Sequence, residues 1–217
     1  MGQKVNPRLI RLQTVDTWSS RWFNERGGYK ETVLEDYALR KLLMERLKSA
    51  GVSRVEIERS INSVRLVVYV SRPGIVIGRG GAGIEDLKKT LTQFFIKQGK
   101  TGKMMPRFDL RVEQVKEPNL DAYLVAKSVA EALIRRLSFK RVLVQTSDKV
   151  MSSGALGIRI VLSGRINGSE IGRREKVQVG TVPLSTIRAN IDYAQYPALT
   201  KKGYIGVKVW INRKEEK

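Results

Sequence analysis

Gly78, Arg79, Gly80 and Gly81 stand together in a stretch otherwise built of apolar and charged residues. Glycine has no Cβ, so such a run lets the chain take backbone angles closed to other residues and press bare amides against a ligand. A side chain there would hold a phosphate away. Arg79 supplies a full positive charge at the same point, and a helix opening after the glycines adds the partial charge of its unpaired N–H groups. The chemistry implied is capture of a nucleic-acid backbone. Two other readings use the same residues. Glycines also punctuate plain surface turns. Gly78, Gly80 and Gly83 further satisfy the G-x-G-x-x-G pattern of dinucleotide-binding folds. That pattern must follow directly on a buried strand, whereas Pro73-Gly74 interrupts the run here, and no acidic residue follows where a ribose would need one.

A second concentration of charge spans residues 135 to 176, with ten basic and three acidic residues. Within and just beyond it, Arg165, Arg173, Arg174 and Arg188 carry planar guanidinium groups, which suit fixed phosphate contacts better than lysine does. The plainer alternative is a solvated charged face. Trp18, Trp22 and Phe23, interleaved with Arg21 and Arg26, offer rings for unpaired bases or pin an N-terminal arm to its own domain by burial. Trp210 is out of phase with Val207, Val209 and Ile211 and so marks a second packing surface on its strand. Glu56 and Glu58 share the face opposite Val55 and Ile57, with nothing around them to shape an acid–base dyad. The chain contains no His and no Cys. Disulfides, Cys/His metal centres and His- or Cys-based catalysis are therefore excluded. No catalytic residue, metal or cofactor is expected.

The 217 residues carry 41 Lys and Arg against 21 Asp and Glu, a formal charge of +20. That excess attracts polyanions, nucleic acid first and an anionic membrane second. A hydrophobic fraction of 41% is enough to bury a core and argues against a wholly disordered basic tail. No stretch approaches the roughly 20 apolar residues of a membrane span. The opening Met1–Pro7 has no apolar signal core, and Asn6 stands where a myristoylation signal needs Ser or Thr. A soluble, reducing compartment without a membrane partner is expected, a cytoplasm or the interior of an organelle.

These residues must be held by folded elements. Leu34, Ala38, Leu42, Leu43 and Leu47 recur at helical spacing and Gly51 ends that helix. Two strands follow, through Val55 and Ile57 and, after a polar turn at Ser60 to Ser63, through Val64 to Val70. Pro73 opens a short helix ending at Gly78, Ile84 to Phe95 line a longer one, and a loop at Gln98 to Met105 leads to a strand at Phe108 to Val112. The order is α, β, β, α, α, β. Pro118 breaks the pattern and Asn119 is placed to cap the next helix, which carries Leu124, Val125, Val129, Ala132 and Leu133. A further helix starts near Ser138, and strands run through Ile158 to Leu162, around Val177 and Val179, and through Ile205 to Ile211. The predicted organisation is an arm at 1–16, one α+β domain at 17–117, a second at 118–212 with a mixed or antiparallel sheet, and a charged tail at 213–217.

A G-x-x-G loop after two strands and a short helix, with a longer helix and a strand behind it, resembles the clamp of KH domains, which grips about four nucleotides. The blocks Met1–Pro7, Pro73–Gly81, Ser163–Ile171, Val182–Ala194 and Gly206–Ile211 together resemble the bacterial-type small ribosomal subunit protein S three family. The resemblance implies an N-terminal KH domain of the second type followed by the family's own α+β domain, both part of the small-subunit head near the messenger entrance. The implied partners are small-subunit ribosomal RNA, mRNA and the neighbouring head proteins S ten, S fourteen and S two. It further implies a structural rather than enzymatic role, with a free-standing KH regulator as the alternative. Family members present a basic helix just after Ser-Phe that grips mRNA. Here Lys140 and Arg141 match its adjacent basic pair, with Arg135 and Arg136 as helpers, but Val144 replaces a third basic residue. Gln195–Lys202 departs from a family stretch rich in Ala, His and Thr and is expected as a divergent loop.

Overall fold

The computed structural model describes residues 4–24, 28–60, 63–97 and 107–214. Arg26, the loop expected at Gln98 to Met105, the middle of the Ser60 to Ser63 turn and the end of the charged tail lie outside the described residues. The chain passes between two compact units at Lys116 and Glu117, and the segment before Trp18 groups with the second unit.

The first unit runs β1 (Ser20–Arg21), α1 (Tyr29–Arg46), β2 (Val52–Arg59), β3 (Ser63–Val70), α2 (Pro73–Ile77), α3 (Ala82–Lys97) and β4 (Arg107–Gln114). Apart from the two-residue β1, this is the order expected from periodicity. The sheet order is β1-β2-β3-β4, antiparallel between β2 and β3 and parallel at both outer pairings. Alternation places Val55, Ile57, Val64, Leu66, Val68 and Leu110 on one face, where they pack with Leu87, Leu91 and Phe95 of α3. Pro73 occupies the first turn of α2, where its missing N–H costs nothing.

The inward face of α1 differs from the one its leucines suggest. Leu34 is exposed, and the buried positions are Glu35, Asp36, Leu39 and Leu43. Arg59 accounts for the difference: its Nε donates to Asp36 at 2.7 Å and its Nη1 to Glu35 at 3.0 Å, so two carboxylates can turn inward without remaining unpaired charges. Trp22 Nε1 also donates to Asp36, at 2.8 Å.

The second unit contains α4 (Ala122–Ile134), α5 (Phe139–Ser152), β5 (Gly157–Gly164), β6 (Arg173–Gly180), β7 (Ile191–Thr200) and β8 (Gly203–Asn212). Its sheet order is β6-β5-β8-β7 with every pairing antiparallel, so the expected α+β class holds in both units and the expected mixed or antiparallel sheet in the second. Ile158, Ile160, Leu162, Val207, Val209 and Ile211 form the core with both helices. Trp210, on the opposite face, packs with Val161 and Ile191 in a separate cluster, as its phase requires.

Two expectations are corrected here. The cap of α4 is Asp121, whose side chain accepts from the amides of Tyr123 and Leu124, while Asn119 instead donates to Ser153 Oγ at 3.0 Å. The divergent loop expected at 195–202 is mostly strand: β7 pairs with β8 from Ile191 to Thr200, and only Lys201 and Lys202 form the turn. Pro197 argues against a strand in sequence, but β7 lies at the sheet edge, where one missing amide leaves no partner unsatisfied.

The N-terminal arm is tied down by Arg11, which has no exposed surface. Its guanidinium donates to the carbonyl oxygens of Pro7, Leu184, Thr186 and Ala189 at 2.8 to 3.1 Å. The cage lies against the cluster around Trp210, to which Leu184 and Ala189 also belong.

Candidate nucleic-acid interface

In the first unit α2 stops at Gly78, whose φ is +69°, and α3 begins at Ala82. Between them Arg79–Gly81 form one tight turn with φ of +61° at Gly80 and +83° at Gly81, angles that exclude most side chains. A Cβ at Gly80 or Gly81 would meet nothing within 4 Å. These two glycines therefore face open space, as a backbone clamp requires. Gly83 serves a different purpose: a Cβ there would lie 2.3 Å from the carbonyl oxygen of Val76, so its bareness lets α3 cross closely over α2. Arg79 is exposed and its side chain has no partner among the described residues.

In the second unit the start of α5 gathers cations. Phe139, Val142 and Leu143 are buried, which turns Lys140, Arg141 and Val144 outward. No acidic residue occupies the first turn, and Ser138 makes no side-chain cap. The positive end of a helix dipole repels cations, so Lys140 and Arg141 gain nothing from this position in the isolated chain, whereas an anion would be drawn by both. Arg135 and Arg136 are exposed in the link between α4 and α5, with Arg136 at φ +62°. Arg173 joins them, its guanidinium 5.5 Å from the centroid of the Phe139 ring.

The four arginines expected on ribosomal RNA do not form one patch. Arg173 and Arg174 are neighbours in sequence but project to opposite faces of β6, Arg173 towards α5 and Arg174 away from the helices. Arg165 lies at the end of β5 beside a turn at Ile166–Gly168, held by Nε to the Ser169 carbonyl at 2.8 Å. Arg188 lies in the segment leading into β7, which starts at the other end of the sheet, roughly 23 Å away by strand rise. Arg11 fixes that segment, a role no periodicity in the sequence reveals.

The remaining candidates resolve into structural roles. Trp22 is engaged with Asp36 and tilts against Tyr29, whereas Phe23 is 85% exposed and Trp18 also faces solvent. Glu56 pairs with Arg21 and Arg54, and Glu58 with Arg21 and Arg65, so both carboxylates belong to an ion-pair lattice on the outer face of the first sheet. Among the described residues no acidic cluster could hold a metal, and no helix is long and apolar enough to cross a membrane.

A division among the cations follows. Arg11, Arg40, Arg59 and Arg213 are spent on carbonyl oxygens and carboxylates of their own units. Burial lowers the pKa of Arg11 and of Arg40, opposed by Asp16 and Asp36 respectively, and both remain charged. Arg79, Arg135, Arg136, Lys140, Arg141, Arg174 and Arg188 have no side-chain partner among the described residues. These seven are among the uncommitted cations of a chain of +20 charge, and they are what a polyanion would find.

Known proteins carry the same two parts. A family profile for the KH domain matches residues 38–120, and one described as "Ribosomal protein S3, C-terminal domain" matches residues 129–211. The chain is 45% identical over 215 residues to "Small ribosomal subunit protein uS3" of Lactobacillus acidophilus, covering 99% of this chain and 92% of that protein. The protein of that name from Desulfitobacterium hafniense is 46% identical over 99% of this chain and 94% of its own length. The one from Cereibacter sphaeroides is 45% identical, over 99% of this chain and 87% of its own. Identity at that level along nearly the whole chain, with one profile on each folded unit, places it: this chain belongs to the small ribosomal subunit protein uS3 family, a family of ribosomal proteins rather than enzymes.

Proposed function

We propose that this chain is a structural constituent of the small ribosomal subunit head in the cytoplasm, binding ribosomal RNA and touching mRNA where it enters the messenger channel. The observation that carries the reading is the set of exposed arginines and lysines with no partner among the described residues, gathered at a glycine turn, at a helix start and on a sheet. Gly78, Arg79, Gly80 and Gly81 clamp an RNA backbone through bare amides and one charge. Lys140 and Arg141, with Arg135 and Arg136, attract mRNA phosphates at the positive end of α5. Arg165, Arg174 and Arg188 bind ribosomal RNA at separate points, and Arg173 belongs with the α5 group by position. The protein partners on this reading are the neighbouring head proteins S ten, S fourteen and S two. A free-standing KH regulator would need the first unit alone, and the uncommitted cations of the second unit argue against it.

Sedimentation of a tagged full-length chain through a high-salt gradient tests the reading. Cofractionation with the small subunit is expected. A chain that stays near the top, bound only to short RNAs, would establish the regulator instead.

A further inference from the structure

The second sheet has one face covered by α4 and α5; on the other, among the described residues, the segment around Leu184 and Ala189 covers a part, over Trp210, Tyr193 and Val161. The uncovered part is built by register. Lys176 of β6 and Lys208 of β8 both pair with Val161 of β5, so the two lysines flank it on one face, about 10 Å apart across two strand spacings. Arg174 lies one step along β6 on that face, opposite Ser163. Next to Ser163, across the pairing with β8, is Gly206, which leaves a flat floor. Tyr204 rises beyond it on the same face, 67% exposed, with Leu199 of β7 opposite.

The charge on this face is one-sided. Its outward positions along the four strands include no Asp or Glu, because Glu175 and Asp192 fall on the other phase. None of the side chains of Arg174, Lys176, Tyr204 or Lys208 has a partner among the described residues. Nearby, Arg159 lies over the Trp210 ring at 5.2 Å, its buried Nε without a hydrogen-bond partner among the described residues.

We propose that this bare face is a platform for single-stranded RNA. Tyr204 stacks one base, Ser163 and Gly206 leave room for the ring to lie flat, and Arg174, Lys176 and Lys208, all further along the strands on one side of Tyr204, hold the phosphates that run on from that base. The occupant is argued from charge: three cations without a carboxylate suit a polyanion. A duplex would present its phosphates but not a free base face to Tyr204. The proposal rests on reading the chain as an RNA-binding ribosomal protein and names a surface that the resemblance does not.

The test uses the full-length chain carrying Gly80→Asp and Gly81→Asp, so that the glycine turn contributes little. Its binding to a fluorescent oligouridylate of about 12 nucleotides is compared with binding to an RNA duplex of equal length. Tyr204→Ala is expected to weaken single-strand binding about tenfold, with duplex binding unchanged and Tyr204→Phe close to the parent. Lys176→Ala with Lys208→Ala is expected to flatten the salt dependence of single-strand binding by about 1.4 in log–log slope. All these side chains are exposed or half-buried, so unfolding midpoints serve as the control. No binding of the oligouridylate by the double-Asp chain, or an unchanged affinity in Tyr204→Ala, would overturn the proposal. So would lysine variants that bind RNA normally but fail to enter reconstituted subunits, because the face would then dock a protein. Cofractionation of Tyr204→Ala with small subunits separates the two readings: if even the unmodified chain fails to cofractionate, the ribosomal role itself is wrong.

Discussion

Arg11 is fully buried among carbonyl oxygens, with Asp16 as the acidic group that acts on its charge. Removing the guanidinium strands those oxygens in an apolar setting and releases both the arm and the segment bearing Arg188. Arg11→Ala is expected to cost about 3 kcal/mol, since each orphaned buried acceptor costs about 1–3 kcal/mol. Arg11→Lys restores little, because one ammonium cannot span a planar fork of acceptors. Urea unfolding measures both. The glycines make a second contrast at this scale. Gly83→Ala pushes a Cβ into the Val76 carbonyl and is expected to destabilise the first unit with little direct effect on RNA. Gly80→Asp with Gly81→Asp meets only open space, and Asp tolerates positive φ, so a stability loss of about 1–2 kcal/mol is expected. Single-strand RNA affinity should fall well beyond what that loss explains. Equal RNA affinity in a folded double-Asp chain would reduce the turn to a mere connection.

At the scale of elements, α5 carries the most specific expectation. Val144 is 54% exposed one turn beyond Lys140 and Arg141, an apolar residue on a helix face otherwise suited to phosphate. Val144→Lys is expected to speed translation through a stable mRNA hairpin, and Lys140→Ala with Arg141→Ala to slow it. If neither changes the rate, α5 packs on ribosomal RNA or protein and the messenger path lies elsewhere. The elements legible in sequence were those whose burial follows one period, such as Val64 to Val70 in β3 and Leu87, Leu91 and Phe95 in α3. The inward face of α1 was hidden because its buried carboxylates depend on Arg59, more than twenty residues away. β7 was hidden by Pro197, which only an edge position permits. The cations of the site were visible one by one, but strand phase sent Arg173 and Arg174 apart and register set Lys176 across from Lys208. Neither fact exists before the strands pair.

For the molecule as a whole, the +20 charge is divided between cations used within each unit and cations left for a partner. Counterion release makes this division measurable, since each phosphate contact adds about 0.9 to the log–log salt slope on a duplex. The decisive experiment titrates the full chain with small-subunit ribosomal RNA between about 50 and 200 mM salt, one substitution at a time. Arg135→Ala, Arg141→Ala, Arg174→Ala and Arg188→Ala are to be compared with Arg40→Ala and Arg59→Ala. The first group should divide between ribosomal RNA and messenger: Arg174→Ala and Arg188→Ala flatten the slope by about 0.9 each where they meet duplex ribosomal RNA, while Arg135→Ala and Arg141→Ala flatten it, by about 0.7 each, only when single-stranded mRNA is the ligand. Arg40→Ala and Arg59→Ala should leave the slope unchanged and lower the unfolding midpoint. A slope that responds to Arg40 and Arg59 but not to Arg174 and Arg188 would contradict the assignment of the unpartnered cations to RNA.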